Sequence, residues 1–215
     1  MTITSEFLVA LAHAAEISPG ERTIPWPSPG APGGFVTFAN FAEWQKIICG
    51  FRLASGVPHD MVDLFDRALK LYLAAWLDFD LVVAGEMAAF AALEHSLRDR
   101  YLNSFRQRHM EKVIARAKRE KREPMLNENF RHDSVKLSDL LQHMHQHDKL
   151  TDDLLPCIRK YGGSVMRRLT DKGSPALAEL RNDRAHGNPF GSEYQSGLLE
   201  LIRDLIEYAY RDRIR

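Results

Sequence analysis

The spacing of apolar residues predicts helices over most of the chain. Apolar positions recur at i, i+3, i+4 and i+7, and this spacing places their side chains on one face of an α-helix. One such stripe runs from Met61 to Trp76 and another from Val83 to Tyr101, with a break predicted near Asp78 to Asp80. Shorter stripes predict a helix at 137–144 and a final helix at 192–211.

The N-terminal quarter of the chain has a different pattern. Residues 1–17 carry apolar side chains at helical spacing, whereas residues 18–34 contain five of the ten prolines, a composition typical of a loop or arm. Apolar residues within 38–51 predict one more helix, which ends near Gly50 or Gly56. No strand pattern in the sequence has comparable support.

Together these elements predict an all-α fold, most simply a helical bundle with an N-terminal arm and a central helical insertion. The first unit, residues 1–57, is the arm and helix that pack on the bundle. The second unit, residues 58–215, is the helical domain, with an insertion at about 106–172. Within this insertion Pro156 and the Gly162-Gly163 pair interrupt a predicted helical segment.

The balance of charges limits the classes of function. The chain has 215 residues, with 29 Lys and Arg against 29 Asp and Glu. It therefore has no overall excess of positive charge of the kind that binds nucleic acid over a whole surface. A local basic patch is still compatible with this balance. The two cysteines, Cys49 and Cys157, lie far apart in the sequence and do not make a disulfide framework.

We expect neither a targeting segment nor a membrane span. Glu6 is the first charged residue, and no basic stretch precedes the apolar run as it would in a signal peptide. The most apolar window, Leu69 to Leu93, contains Asp78, Asp80 and Glu86. Three acids in that window argue against a membrane span. The expected protein is cytoplasmic and has no membrane partner.

The most informative stretch for chemistry runs from Leu180 to Gly187. Arg181 and His186 flank four residues, and the polar Asn182 directly follows the arginine. The flanking residues predict a helix around this motif. Ser174 and Pro175 fit its N-cap and first helical position, and Gly187 fits its C-terminal stop.

This arrangement resembles the active-site motif of the HEPN superfamily, which comprises small α-helical proteins. Many of its members are metal-independent endoribonucleases in toxin–antitoxin, antiviral and CRISPR-associated systems. The resemblance covers about residues 58–105 and 173–212, and the stretch Phe90 to Arg98 is similar to an earlier core helix of such proteins.

The resemblance implies a function and a set of partners. A protein of this kind would cleave RNA without a metal or other cofactor and leave a 2′,3′-cyclic phosphate. Its site would lie between two protomers of a homodimer, each giving one arginine and one histidine. Such a protein would act as a toxin or antiviral-defence effector, with a cognate antitoxin or regulatory protein as a further partner.

The residue types themselves suit RNA cleavage. Asn182 and His186 lie four residues apart and so share one side of the predicted helix, and the long Arg181 side chain can swing toward the same end. Histidine titrates near neutral pH and can transfer protons, while a guanidinium matches the growing charge of a phosphate in the transition state. We expect His186 to move a proton at the 2′-hydroxyl or the 5′-oxygen. Arg181 would stabilise the phosphate, and Asn182 would orient the phosphate or His186.

Other interpretations of the motif remain open. Arg181 and His186 could be a surface arginine and a histidine that caps a helix. The protein could also be a catalytically inactive HEPN-like module that dimerises or binds protein or RNA. Glu94 and Arg98 form an i, i+4 pair on an apolar helix. One interpretation is that this pair holds Arg181 or His186 in position. The other is that it is an ordinary helix ion pair.

Residues 106–122 are strongly basic and form a candidate RNA-binding surface. We predict that Arg116, Lys118 and Arg119 contact the RNA backbone, together with Arg184 from the motif helix. The alternative is a solvated amphipathic helix, because no aromatic residue is interleaved for base stacking.

A histidine-rich segment provides a weak candidate for metal binding. Asp139, His143 and His147 repeat every four residues and would share one helix face. No Cys or Glu completes a recognised ligand spacing, so a polar surface helix is the preferred interpretation. We assign no metal-binding residue.

Overall fold

The computed structural model describes residues 3–16, 20–121, 123, 130–131, 134–170, 175–186 and 195–214. Within these ranges the chain is mostly helical with one two-stranded sheet, which confirms the all-α class. The helices are α1 (Ser5–Ala15), α2 (Phe41–Cys49), α3 (His59–Ala74), α4 (Leu81–Arg119), α5 (Leu137–Gln146), α6 (Pro156–Tyr161), α7 (Met166–Leu169), α8 (Leu177–Ala185) and α9 (Leu198–Ala209). The predicted caps at Ser174 and Ser192 and the predicted stop at Gly187 lie outside the described residues. The prediction that Pro175 is the first helical position is wrong, because α8 begins at Leu177.

Helices α3 and α4 form the centre of the bundle. The chain turns between them where the break near Asp78 to Asp80 is predicted. The two helices approach closely at Gly85, where an added Cβ would lie 2.6 Å from the ring of Tyr72. Burial of Phe65, Leu93 and other large apolar side chains along this contact supplies the main hydrophobic stabilisation.

Helix α4 is a single helix of 39 residues, about 58 Å long. The basic stretch at 106–122 is therefore largely the C-terminal part of the same helix and not a separate element. The sequence explains this continuity, since neither Gly nor Pro occurs between Glu86 and Arg119. Val113 and Ala117 are its buried residues beyond position 105, so this part rests on the protein along a narrow stripe.

The N-terminal arm contains two strands that the hydrophobic pattern did not predict. β1 (Arg22–Pro25) pairs antiparallel with β2 (Phe35–Phe38). Each strand has four residues, of which one is buried, so the alternation is too short to register as a strand pattern. After β1, Trp26 is buried against Phe38, Trp44 and Phe51 and fastens the arm to the bundle.

The region between α4 and α8 packs on the bundle through several helices. α5 contacts both α4 and α8, α6 contacts α9, and α7 contacts α5 and α8. Pro156 begins α6, and Gly162-Gly163 separates α6 from α7, as the sequence predicts. Helix α9 packs on α4 through a broad apolar face. Of the helices that the structure describes, none combines the length and apolar character that crossing a membrane requires.

Candidate functional site

Helix α8 carries the arginine–histidine motif and is fixed to the bundle by its buried face. Leu177 and Leu180 are buried, and the backbone N–H of Ala176 donates to Glu179 Oε2 at 2.9 Å, which caps the start of the helix. Arg181 and Asn182 are on the less buried side of α8. The helix therefore presents its polar motif residues to solvent while its leucines pack inward.

Arg181 is held by two side-chain contacts. Its Nη2 donates to Glu94 Oε2 at 2.8 Å, and its Nη1 donates to Asn182 Oδ1 at 3.1 Å. Its side chain is 36% exposed, so the guanidinium still meets solvent. Asn182 therefore contacts Arg181, and its expected role of orienting the phosphate or His186 stays a prediction.

Glu94 on α4 bridges two arginines. Its Oε1 accepts from Arg98 Nη2 at 2.8 Å, while its Oε2 accepts from Arg181. Arg98 Nη2 also donates to the backbone oxygen of Val135 at 2.9 Å. The structure thus brings together four of the residues singled out in the sequence, which we call the Arg181 cluster: Glu94, Arg98, Arg181 and Asn182.

The surroundings of Glu94 keep it ionised. Burial raises the pKa of its carboxyl, but the hydrogen bond from Arg98 and the charge of Arg181 outweigh burial and hold the pKa below its usual value. With two guanidinium groups and one carboxylate, the Arg181 cluster carries more positive than negative charge. A cluster of this kind attracts phosphate oxygens, which guanidinium groups bind with good geometry.

Two cavities open beside the Arg181 cluster, and both are lined by Glu94, Arg98 and Arg181. One has a volume of about 330 Å³ and is also lined by His95. The other has a volume of about 340 Å³ and is also lined by Asn182. Arg181 therefore lies at the boundary between two concave surfaces that a chain of nucleotides could occupy.

His186 lies apart from these cavities. It is the C-cap residue of α8, and its backbone N–H donates to the backbone oxygen of Asn182 at 2.9 Å. Its side chain is exposed. Within the described ranges, no hydrogen bond or ion pair to its imidazole is formed, and it lines neither cavity. The structure therefore brings Arg181 and Asn182 together but leaves His186 free to meet another molecule.

The structure corrects the interpretation of Arg184. This residue was predicted to contact RNA, but its side chain is fully buried in an ion pair with Glu86, which is also fully buried. A guanidinium in this position cannot reach a phosphate backbone. Arg184 follows Leu180 by four residues and so points inward with it, which the sequence interpretation did not take into account.

The Glu86–Arg184 pair ties α8 to α4 beneath the Arg181 cluster. Glu86 Oε1 also accepts the backbone N–H of Gln195 at 2.9 Å, just before α9. Burial raises the pKa of Glu86 to about 7, although the charge of Arg184 opposes that shift. One buried carboxylate thus connects three segments that position the motif helix.

The remaining predicted RNA contacts lie on the exposed side of α4. Arg116, Lys118 and Arg119, here called the basic ridge, are all exposed. Arg116 Nε donates to Glu120 Oε1 at 2.9 Å, and surface pairs of this kind are weak and readily exchanged. The basic ridge is available for electrostatic contact, and whether RNA binds there stays a prediction.

The histidine-rich helix α5 directs its rings toward an arginine. Arg108 Nη2 lies 2.7 Å from His143 Nδ1, and Arg108 Nη1 lies 3.1 Å from His147 Nε2. Burial and the charge of Arg108 lower the pKa of His143 to about 4, so the ring is a neutral acceptor. No group of three metal-ligating side chains is present within the described ranges.

His95 was not predicted as a site residue. It is exposed and lines the same cavity as Glu94, Arg98 and Arg181. Its position three residues before Arg98 places it on the same helix face as that arginine. The spacing of His95 and Arg98 could have indicated a shared site. It points to the Arg181 cavity only when α8 is known to pack beside α4.

No family model, no curated protein and no solved structure matches this chain. Its function is therefore inferred from its own residues and from the geometry of the site.

Proposed function

We propose that the protein is a metal-independent endoribonuclease of the HEPN type. The observation that carries this proposal is the position of Arg181, whose guanidinium is fixed by Glu94 yet borders two open cavities. An arginine held in place and partly exposed is suited to a phosphate that gains charge in the transition state. The order of Arg181, Asn182 and His186 on a helix followed by a last amphipathic helix supports the same assignment.

The proposed reaction uses the RNA's own nucleophile. His186 takes the proton of a 2′-hydroxyl, whose oxygen attacks the adjacent phosphorus while the bond from phosphorus to the 5′-oxygen breaks. The protonated His186 gives that proton to the departing 5′-oxygen, and the products are a 2′,3′-cyclic phosphate and a 5′-hydroxyl. Arg181 stabilises the pentavalent phosphate, and Asn182 keeps the Arg181 guanidinium in position.

We propose that a homodimer completes the site. His186 lies at the exposed end of α8 and lines neither cavity beside Arg181. A second protomer related by a two-fold axis would bring two motif helices together, so that RNA spans both. A lone protomer would then bind RNA weakly and cleave it slowly.

The biological role follows from this chemistry as part of the same proposal. A ribonuclease that needs no cofactor is active wherever it meets cytoplasmic RNA. The cell must therefore inhibit it or activate it only when it is needed. A toxin or antiviral-defence effector with a cognate antitoxin or regulatory protein meets that requirement. The basic ridge on α4 would add phosphate contacts for the RNA outside the cleavage site.

Cleavage of a labelled RNA by the parent protein and by two single variants tests the proposal. We expect Arg181→Ala and His186→Ala each to lower the cleavage rate by at least about 10²-fold, the scale of a general acid–base or phosphate-stabilising group. His59→Ala and Arg159→Ala are matched controls, because both residues are exposed and neither lines a cavity beside Arg181. Equal rates for the parent and the two site variants would contradict the proposal.

The second candidate function is a catalytically inactive HEPN-like module. Its supporting observation is that Glu94 joins Arg98 and Arg181 in one ion-pair network, an arrangement that can also serve only to stabilise the bundle. Such a module would dimerise or bind RNA without cutting it. In the cleavage experiment it would leave every RNA intact, while Arg181→Ala would lower stability.

A further inference from the structure

A cavity of about 290 Å³ lies on another part of the molecule, between the N-terminal arm, the turn from α6 to α7 and the start of α9. Pro27, Tyr161, Gly163, Arg168, Ser196 and Leu201 are among the residues that line it. It shares no lining residue with the two cavities beside Arg181. What it binds is therefore a separate question from the proposed ribonuclease activity.

Arg168 is the distinctive group in this cavity. Its Nε donates to the backbone oxygen of Pro175 at 3.2 Å, which fixes the guanidinium. Its Nη2 is buried and has no hydrogen-bond partner among the residues that the structure describes. Burial and the nearby charge of Arg184 both lower the pKa of Arg168. In the described ranges no carboxylate lies within ion-pair distance of it.

A half-buried cation with no carboxylate near it among the described residues is costly, because its charge loses part of its hydration and gains no opposite charge in return. The neighbouring Arg184 adds repulsion, although it is itself paired with Glu86. A bound anion would relieve both effects. The electrostatics of the cavity therefore favour a negatively charged ligand over a neutral or cationic one.

The other groups in the cavity suit a phosphate. Ser196 Oγ is buried and, like Arg168 Nη2, has no hydrogen-bond partner among the described residues. Gly162 and Gly163 have φ of 83° and 88°, so the backbone passes the cavity in a conformation that residues with a Cβ rarely adopt. The cavity is thus lined by a guanidinium, a hydroxyl and glycine backbone without side chains. Pro27 and Leu201 supply apolar surface.

We propose that this cavity binds a small molecule that carries a phosphomonoester. Arg168 Nη2 and Ser196 Oγ donate to the phosphate oxygens, and the apolar wall covers the body of the ligand. The volume is close to the lower end of ordinary small-molecule sites, about 300 Å³, so it holds more than a bare ion. The phosphate could be carried by a free metabolite or by the 5′ end of a nucleic acid.

Isothermal titration calorimetry on the full chain tests this site. Its ligands are AMP, adenosine, inorganic phosphate, and a short 2′-O-methyl oligonucleotide with or without a 5′-phosphate. We expect AMP to bind at least tenfold more tightly than adenosine. Arg168→Gln and Ser196→Ala should each weaken AMP binding, the arginine variant by at least tenfold. Arg167→Gln is the matched control, since it removes an exposed charge one residue away.

The outcomes separate the sources of the phosphate. Tight binding of AMP identifies a free phosphomonoester as the ligand. Tighter binding of the phosphorylated oligonucleotide than of AMP, lost in Arg168→Gln, identifies the end of a nucleic acid. Equal affinity of the parent and Arg168→Gln for every phosphate, or no binding by any of them, would overturn the proposal. Thermal unfolding of Arg168→Gln and Ser196→Ala without ligand checks that both variants fold.

Discussion

Glu94 and Arg181 are separated by 87 residues in the sequence, yet their side chains meet at 2.8 Å between Oε2 and Nη2. The contact joins α4 to α8 and sets the direction of the motif arginine. Because Glu94 also accepts from Arg98, one carboxylate orders two guanidinium groups at the edge of two cavities. The position of Arg181 is thus a property of the packed bundle and not of the motif alone.

Replacing the bridging carboxylate tests its positioning role. Glu94→Gln removes the charge that holds Arg181 while keeping a side chain of the same shape. We expect kcat for RNA cleavage to fall by about 10²-fold, the cost of misplacing a reacting group by about 1 Å, while KM changes little. Initial rates over a range of RNA concentrations measure both constants. Glu16→Gln replaces an exposed carboxylate that directly follows α1; it is the control and should match the parent.

The buried ion pair beneath the site gives a prediction for stability. Glu86→Gln would remove the carboxylate that pairs with the fully buried Arg184. Removing one partner of a buried pair typically costs about 3–5 kcal/mol, and we expect the free energy of unfolding in urea to fall by that amount. Adding Arg184→Met removes the buried guanidinium as well, so the double variant should regain most of the loss. An unchanged unfolding midpoint for the single variant would refute this account.

The histidine–arginine contact on α5 gives a prediction for pH dependence. The folded pKa of His143 is about 4, well below its usual value near 6.5. Between these values the unfolded chain binds more protons than the folded chain, so the contribution of His143 is present above pH 6.5 and is lost as the pH falls toward 4. His143→Gln should therefore flatten the decline in the free energy of unfolding between pH 6.5 and 4.5.

The control for this pH prediction is another histidine in an exposed position. His13 lies on α1 with an exposed side chain, and His13→Gln should leave the pH dependence as it is in the parent. Urea unfolding at four or five pH values measures the slopes. If the free energy of unfolding falls equally with pH in His143→Gln and in the parent, the prediction is wrong. The lowered pKa of His143 then makes no contribution to the pH dependence of stability.

The basic ridge on α4 gives a prediction for RNA binding. Arg116, Lys118 and Arg119 are exposed on one helix, and each phosphate that a cation neutralises contributes about 0.7 to the salt slope for single strands. Replacing all three by Gln should reduce the slope of log K against log salt by about 2. Fluorescence anisotropy with a labelled, uncleavable RNA at several salt concentrations measures it.

A triple variant elsewhere distinguishes this local effect from loss of total charge. Arg52, Arg67 and Arg159 are exposed and lie outside α4, so replacing them by Gln removes the same charge without touching the ridge. The slope for this control should stay near that of the parent. Equal slopes for both triple variants would show that the ridge makes no specific contact with RNA.

Much of the fold follows from local sequence patterns, whereas the site depends on contacts across the chain. The apolar stripes and the breaks at Asp78 to Asp80 and Pro156 locate helices because helical periodicity is a local property. The two strands of the arm were not predicted, because four residues with one buried position show no clear alternation. The burial of Arg184 also escaped, since it depends on Glu86, nearly 100 residues away.

The motif shows the same division. Arg181, Asn182 and His186 were found from spacing and residue type, and Glu94 and Arg98 from an ion pair placed among apolar residues. The cavity that His95 shares with Arg181 could not be found this way, because only tertiary packing brings α4 and α8 side by side.

The proposed activity is metal-independent cleavage of RNA through its 2′-hydroxyl. The most direct measurement is digestion of an RNA and of its 2′-O-methyl counterpart in EDTA by the parent protein and by His186→Ala, with the product ends identified by mass spectrometry. We expect that only the parent cuts, that it cuts only the unmodified RNA, and that it leaves 2′,3′-cyclic phosphate and 5′-hydroxyl ends. Cleavage of the 2′-O-methyl strand, or equal cleavage by His186→Ala, would contradict it.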